Sequence, residues 1–141
     1  MTIFLDTSSL LKLYHKESET VELISFIGKN IKVIYLSELA KIEFNSAIYK
    51  KVRTKEITKE KAESIVSFFQ NDYSKFEWIK LDSDVENLAK DLISQYGTDG
   101  LRTLDSLQLA SAVSKKIVIN YYKTSDKLLF TIFEKEGLNV I

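Results

Sequence analysis

The sequence predicts an α/β sandwich in which a mainly parallel sheet is flanked by helices. Short apolar runs rich in β-branched and aromatic residues recur at Ile3–Leu5, Ile31–Leu36, Phe76–Leu81 and Ile117–Tyr121; runs of this length and composition are strands, not helices. Between them lie longer segments with apolar residues at helical spacing, and such alternation builds a parallel sheet covered on both faces. At 141 residues, 45% hydrophobic and 28% charged, the chain is sufficient for one domain spanning residues 1–141 around a single core.

The first strand ends in Asp6-Thr7-Ser8, a carboxylate followed by two hydroxyls, and a short helical turn follows from Ser9 to Tyr14. Thr20–Ile27 has helical spacing that closes at Gly28. After the second strand, Ser37 starts a long helix through Leu39, Ala40, Ile42, Phe44, Ala47 and Ile48. Thr58 caps the next, which runs through Ala62, Ile65, Val66, Phe68 and Phe69. The third strand contains Trp78, a core residue, and Asp82-Ser83-Asp84 leads into a helix with Val85, Leu88, Ala89, Leu92 and Ile93. Gly97-Thr98-Asp99-Gly100 is a loop introducing a helix over Leu101–Val113. The fourth strand is followed by the turn Thr124-Ser125-Asp126, a helix ending before Gly137, and a last short strand at Asn139–Ile141.

Composition narrows the chemistry. No cysteine is present, so disulfides and thiolate metal sites are excluded, and the lone His15, a surface residue on this reading, makes no histidine zinc site by itself. Any metal is held by oxygen, which points to Mg²⁺ or Mn²⁺. Twenty basic side chains balance twenty acidic ones, so a nucleic-acid partner needs a local basic patch. Lys50, Lys51, Arg53 and Lys55 form the densest one; they are candidates for RNA backbone contacts, or a solvated helix face. No apolar stretch approaches a membrane span and Met1 leads straight into a strand, so the expectation is a cytoplasmic protein.

Four acids stand out. Asp6 lies at the carboxyl end of a strand, where ligands bind in parallel sheets, though an aspartate there also caps a helix. Asp105 lies on an apolar helix face between Leu101 and Leu109, and a carboxylate so placed needs a cation or a partner such as Arg102. Glu43 has Leu39, Ala40 and Ala47 around it, small enough to leave room beside the carboxylate; Glu38, near the helix start, is favoured by the helix dipole without any ligand. Asp126, in the turn after the fourth strand, is a site residue or a cap. Together these acids suit an oxygen-only site for one or two divalent ions, which offset the repulsion of convergent carboxylates and support phosphodiester hydrolysis.

The segments FLDTSSLLKLY, SELAKIEFNSA, LRTLDSLQLASA and KTSDKLL, in this order and spacing across nearly the whole chain, resemble the PIN-domain ribonucleases, in particular the VapC-type toxins of toxin–antitoxin pairs. The resemblance implies that Asp6, Glu43, Asp105 and Asp126 form the catalytic, Mg²⁺- or Mn²⁺-binding set, with Thr7, Ser8 and Thr124 supporting the carboxylates. It also implies a three-layer sandwich with strand order 3-2-1-4-5, endonucleolytic cleavage of RNA, a homodimer, and an antitoxin partner that occupies the groove. Gln108 stands where many relatives carry His, and Ser125 where a large apolar residue is usual. Two other readings are a catalytically silent domain that binds protein or RNA, and a phosphotransferase of the haloacid-dehalogenase type. The latter needs a second aspartate two positions after the first, and Ser8 is there.

Overall fold

The structure is a computed structural model covering residues 1–141. Strand β1 (Thr2–Leu5) lies inside the sheet, between β2 (Val33–Ser37) and β4 (Tyr121–Lys123), with β3 (Glu77–Ile79) outside β2. All pairings are parallel, and Phe4 stands opposite Tyr35 on one side and Tyr122 on the other. The helices are α1 (Thr7–Leu11), α2 (Thr20–Asn30), α3 (Ala40–Arg53), α4 (Lys59–Asn71), α5 (Ser83–Tyr96), α6 (Thr103–Ser114) and α7 (Lys127–Lys135).

Alternation along β1 explains the layers. Ile3 and Leu5 point into a cluster of twelve buried residues that also takes Leu10 from α1, Leu23 from α2, Phe44 and Ile48 from α3, and Ile65 and Phe69 from α4. Phe4 points the other way, into sixteen buried residues including Val85, Leu92, Leu109, Ile132 and Phe133 of α5, α6 and α7. Successive strand side chains face opposite sides of a sheet, so one strand serves both layers. The single core expected from composition is therefore two, divided by the sheet.

Other expectations are corrected in detail. The fifth strand is reduced to one parallel bridge between Val140 and Tyr122, so the sheet has four strands and the order is 3-2-1-4. The fourth strand begins at Tyr121, not Ile117, whose side chain is fully exposed. The edge of β1 is instead satisfied there by the Asn120 side chain, which accepts from Thr2 N at 2.9 Å, and by the Val118 carbonyl, which accepts from Thr2 Oγ1 at 2.8 Å. Helix α2 passes through Gly28 to Asn30, whose side-chain amide donates to the Phe26 carbonyl at 2.9 Å and holds the last turn. The Gly97 loop is a 3₁₀ turn over Gly97–Asp99, and Gly100 follows at φ 111°. Trp78 is structural: its indole N–H donates to the Tyr73 carbonyl at 2.9 Å, and the Lys41 ammonium lies 4.4 Å from its ring centroid.

Past the end of α3, Lys55 has φ 62°, a left-handed conformation that costs a side-chain-bearing residue about 1–2 kcal/mol and that glycine adopts freely after a helix. Lys55→Gly is expected to raise stability by about 0.5–1 kcal/mol after the added unfolded-state entropy is offset. A lower chemical-denaturation midpoint would contradict this.

Candidate active site

The carboxyl end of β1 releases the chain at Asp6, which is 3% exposed. Its Oδ1 accepts from Ser8 Oγ at 2.7 Å and from Ser9 N at 3.0 Å, capping α1. Its Oδ2 accepts from Thr124 Oγ1 at 2.5 Å. Thr124 Oγ1 in turn accepts from Asp126 N, and Ser8 Oγ accepts from Ser125 N, both at 3.0 Å. Two hydroxyls thus clamp the end of β1 to the turn after β4. Burial pushes the Asp6 carboxyl above its ordinary range, and the hydrogen bonds from Thr124, Ser8 and Ser9 oppose that shift.

On the other side of the same turn, Thr7 Oγ1 donates to Glu43 Oε1 at 2.8 Å. Gln108 Nε2 reaches over from α6, donating to the same oxygen at 2.7 Å and to Thr7 Oγ1 at 3.0 Å. Glu43 lies in the first turn of α3, where it also complements the helix dipole. Both hydrogen bonds fall on Oε1, and Oε2 is left for another partner. Gln108 was legible only as a departure from a family pattern; its role as the donor that fixes Glu43 comes from the fold. Its Oε1 is buried without a partner.

Asp105, in the first turn of α6, is half-buried and accepts no hydrogen bond. It shares a cleft of about 420 Å³ with Glu43 and Arg102. Burial raises its pKa, the Asp126 charge raises it further, and the more weakly felt Arg102 lowers it. Arg102 makes no ion pair, so the pairing considered for Asp105 is not formed. Asp126 is exposed and caps α7 through Oδ1, which accepts from Leu129 N at 2.8 Å, leaving Oδ2 free.

Raised carboxyl pKa values carry a definite sign. A group that binds its proton more tightly when folded adds stability below its unfolded pKa and loses it as pH rises through the folded value. Asp6 and Asp105 are both of this kind, so their contribution falls as pH rises above 3.8. Without divalent ions, Asp105→Asn is expected to stabilise the protein near pH 7 by up to about 1 kcal/mol, discounted for its solvent exposure. The gain should shrink as pH falls through the carboxyl range and vanish only well below 3.8, where the unfolded group is protonated too; a gain constant with pH, or a loss, would refute this account of Asp105.

The structure joins these acids by linkage more than by contact. Asp6 and Asp126 share the Thr124 hydroxyl, Glu43 and Asp105 share a cleft, and Asp105 feels the charge of Asp126. No three acidic or histidine side chains are grouped so as to hold one ion directly. The residues nonetheless fit a hard ion held by one or two carboxylates and otherwise by water, the usual mode for Mg²⁺. The free donors are all oxygen, the Asp105–Asp126 repulsion is only partly offset by Arg102, and an orphaned acceptor, Gln108 Oε1, lies beside Glu43.

Of the basic group near the end of α3, Lys51 is committed to ion pairs with Glu17 at 3.1 Å and Glu56 at 3.3 Å. Lys50, Arg53 and Lys55 are exposed, and Lys50 stands two turns after Glu43 on α3. Three further lysines, Lys12, Lys123 and Lys127, meet in a cleft beside Asp126. They belong to separate segments, and no run of charge in the sequence announces them.

Fold and acids together define a parallel α/β domain with Asp6 at the carboxyl end of β1, tied through Thr124 to Asp126, and with Glu43 and Asp105 in a cleft between α3 and α6. More particularly, the chain belongs to the PIN domain family, whose profile matches residues 3–127. Solved structures share the fold. VapBC2 from Rickettsia felis, bound to a DNA fragment from its promoter, is 18% identical with a TM-score of 0.67, over 100% of this chain and 98% of that one. VapC20 of Mycobacterium tuberculosis, a sarcin-ricin loop cleaving toxin, is 14% identical with a TM-score of 0.69, over 92% and 94%. A toxin–antitoxin complex from Klebsiella pneumoniae is 16% identical with a TM-score of 0.69, over 99% and 95%. No curated protein sequence matches the chain. No helix is long and apolar enough to cross a membrane.

Proposed function

We propose that the chain is a Mg²⁺- or Mn²⁺-dependent endoribonuclease, the toxin of a toxin–antitoxin pair, acting as a homodimer that a cognate antitoxin restrains. One observation carries the reading most strongly: Glu43 and Asp126 are each fixed through one carboxylate oxygen while the other remains available, and Asp105 keeps both. Thr7 and Gln108 hold Glu43 Oε1 and leave Oε2, Leu129 N holds Asp126 Oδ1 and leaves Oδ2, and Asp105 has both oxygens free. Capping and ligation are therefore compatible roles. Family membership and the likeness to toxins of toxin–antitoxin complexes support the assignment.

In this reading Glu43, Asp105 and Asp126 hold the ion, directly or through water, and Asp6 anchors the set through Thr124. When bound, the ion supplies an activated water and neutralises charge developing on the phosphate. The chain's own contribution is preorganisation: the Thr7–Gln108 pair orients Glu43, and the Ser8–Thr124 clamp fixes Asp6 against Asp126. Phosphotransfer through Asp6 is disfavoured, because both its oxygens already accept hydrogen bonds and Ser8 donates to it where an acid would be needed.

The capping geometry of Asp6 and Asp126 favours one rival, a silent domain in which these acids only stabilise helix ends. Incubating the purified protein with end-labelled RNA and Mn²⁺ separates the two. Cleavage products that form with Mn²⁺ and disappear with EDTA support the nuclease, and intact RNA under both conditions supports the silent domain.

A further inference from the structure

The turn between α6 and β4 carries Lys115, Lys116, Ile117 and Val118, and both of its apolar side chains stand in water, Ile117 100% exposed and Val118 49%. Only Ile119 turns inward. The exposure is built in, because Val118 N and Ile119 N both donate to the Lys115 carbonyl, at 3.0 and 3.1 Å, and Thr2 Oγ1 donates to the Val118 carbonyl at 2.8 Å. A turn fastened on both sides does not fold Ile117 back onto the core. At the same end of the sheet the Met1 carbonyl accepts from Lys32 N at 2.8 Å, which brings in Lys32 and, in the last turn of α2, Lys29. Lys29, Lys32, Lys115 and Lys116 are all exposed and none is in an ion pair, although Lys116 also donates to the Glu136 carbonyl at 2.6 Å. Residues 29–32 and 115–120 contain no acid. The pole where the strands begin is thus an apolar tip among four cations that lack a carboxylate partner.

We propose that this pole attaches the protein to the surface of an anionic lipid bilayer, with Ile117 and Val118 entering the boundary between headgroups and acyl chains and the lysines lying among the headgroup phosphates. Apolar side chains held in water gain by entering an apolar layer, lysine stems reach back to the headgroups, and a negatively charged leaflet attracts each lysine near it. Insertion and charge together are what surface attachment requires, and it needs no helix that crosses the membrane. A nucleic acid fits this pole less well. The exposed aromatic side chains, Tyr49, Phe68 and Phe130, lie in other segments, so no ring is there for a base to stack on. Thr2 and Asp6 stand at opposite ends of β1, about 13 Å apart at the usual strand rise, so the acids lie away from the lipid. The inference does not depend on the nuclease reading.

Co-sedimentation of the full chain with vesicles tests it, using equal parts phosphatidylcholine and phosphatidylglycerol in one arm and phosphatidylcholine alone in the other, beside an anisotropy assay with a short DNA duplex. The protein is expected to pellet with the anionic vesicles and not with the neutral ones, and less completely as salt rises. Ile117→Ser should weaken vesicle binding about tenfold, and Ile117→Leu should bind as wild type does. Lys32→Ala and Lys115→Ala should each weaken it about fivefold, the worth of one lysine at such a surface. These side chains are exposed, so every variant should melt with the wild type.

No pelleting with the anionic vesicles, or equal pelleting by wild type and Ile117→Ser, would overturn the proposal. Pelleting as complete with neutral vesicles would do so too, since the lysines would then play no part. Duplex bound through the same lysines while vesicles leave the protein in solution would overturn it in favour of nucleic acid. A dimer abolished by Ile117→Ser, again without vesicle binding, would overturn it in favour of a second copy of the chain.

Discussion

Asp6→Asn is expected to lower RNA cleavage by at least about a hundredfold while leaving the protein folded, the scale on which losing an orienting or ligating carboxylate acts. The substitution keeps a side-chain oxygen to accept from Ser9 N, so the cap on α1 survives, and it removes a buried charge whose pKa burial has raised. Thermal stability without metal should therefore be unchanged or higher. Asp6→Ala behaves differently, because Ser9 N loses its cap acceptor and the Ser8 and Thr124 hydroxyls lose an acceptor. A loss of about 1–2 kcal/mol is expected there. Cleavage by Asp6→Asn at the wild-type rate, measured with Mn²⁺ present, would make Asp6 a cap and nothing more.

Phe69→Ala should produce the largest loss of stability, about 3–5 kcal/mol. Phe69 is fully buried and its ring centroid lies 4.2 Å from Phe44, 4.9 Å from Tyr73 and 5.4 Å from Tyr14. It joins α4 to α3 and to the segment after α1. Against a typical total of about 5–15 kcal/mol, the variant would be left marginal. Phe69→Leu should recover most of the loss, and urea denaturation measures both. A change below about 1 kcal/mol for the alanine variant would mean that the aromatic cluster collapses into the void.

Periodicity made the parallel sandwich legible, because strands buried on both faces read as continuous apolar runs and the covering helices as 3.6-residue stripes. It failed where side chains replace backbone pairing. Asn120 and Thr2 form hydrogen bonds where Ile117–Asn120 would have paired, and Val140 keeps only a bridge. At the site, Asp105 and Glu43 were conspicuous because charge on an apolar face needs a reason. Asp6 and Asp126 were ambiguous between cap and site, and the structure explains why: each caps a helix and is also tied to the other through Thr124. Gln108 and the Lys12–Lys123–Lys127 group carried no local signal, since what distinguishes them is proximity across distant segments.

The four residues of β1 are gripped from both sides, Ile3 and Leu5 by one layer and Phe4 by the other. The first acid is thus mounted on the seam between two hemispheres that otherwise hold separate members of the set, Glu43 in one and Asp105 and Asp126 in the other. Alignment across that seam depends on a segment too short to absorb any slippage. Loosening either hemisphere should misalign the oxygens well before the chain unravels.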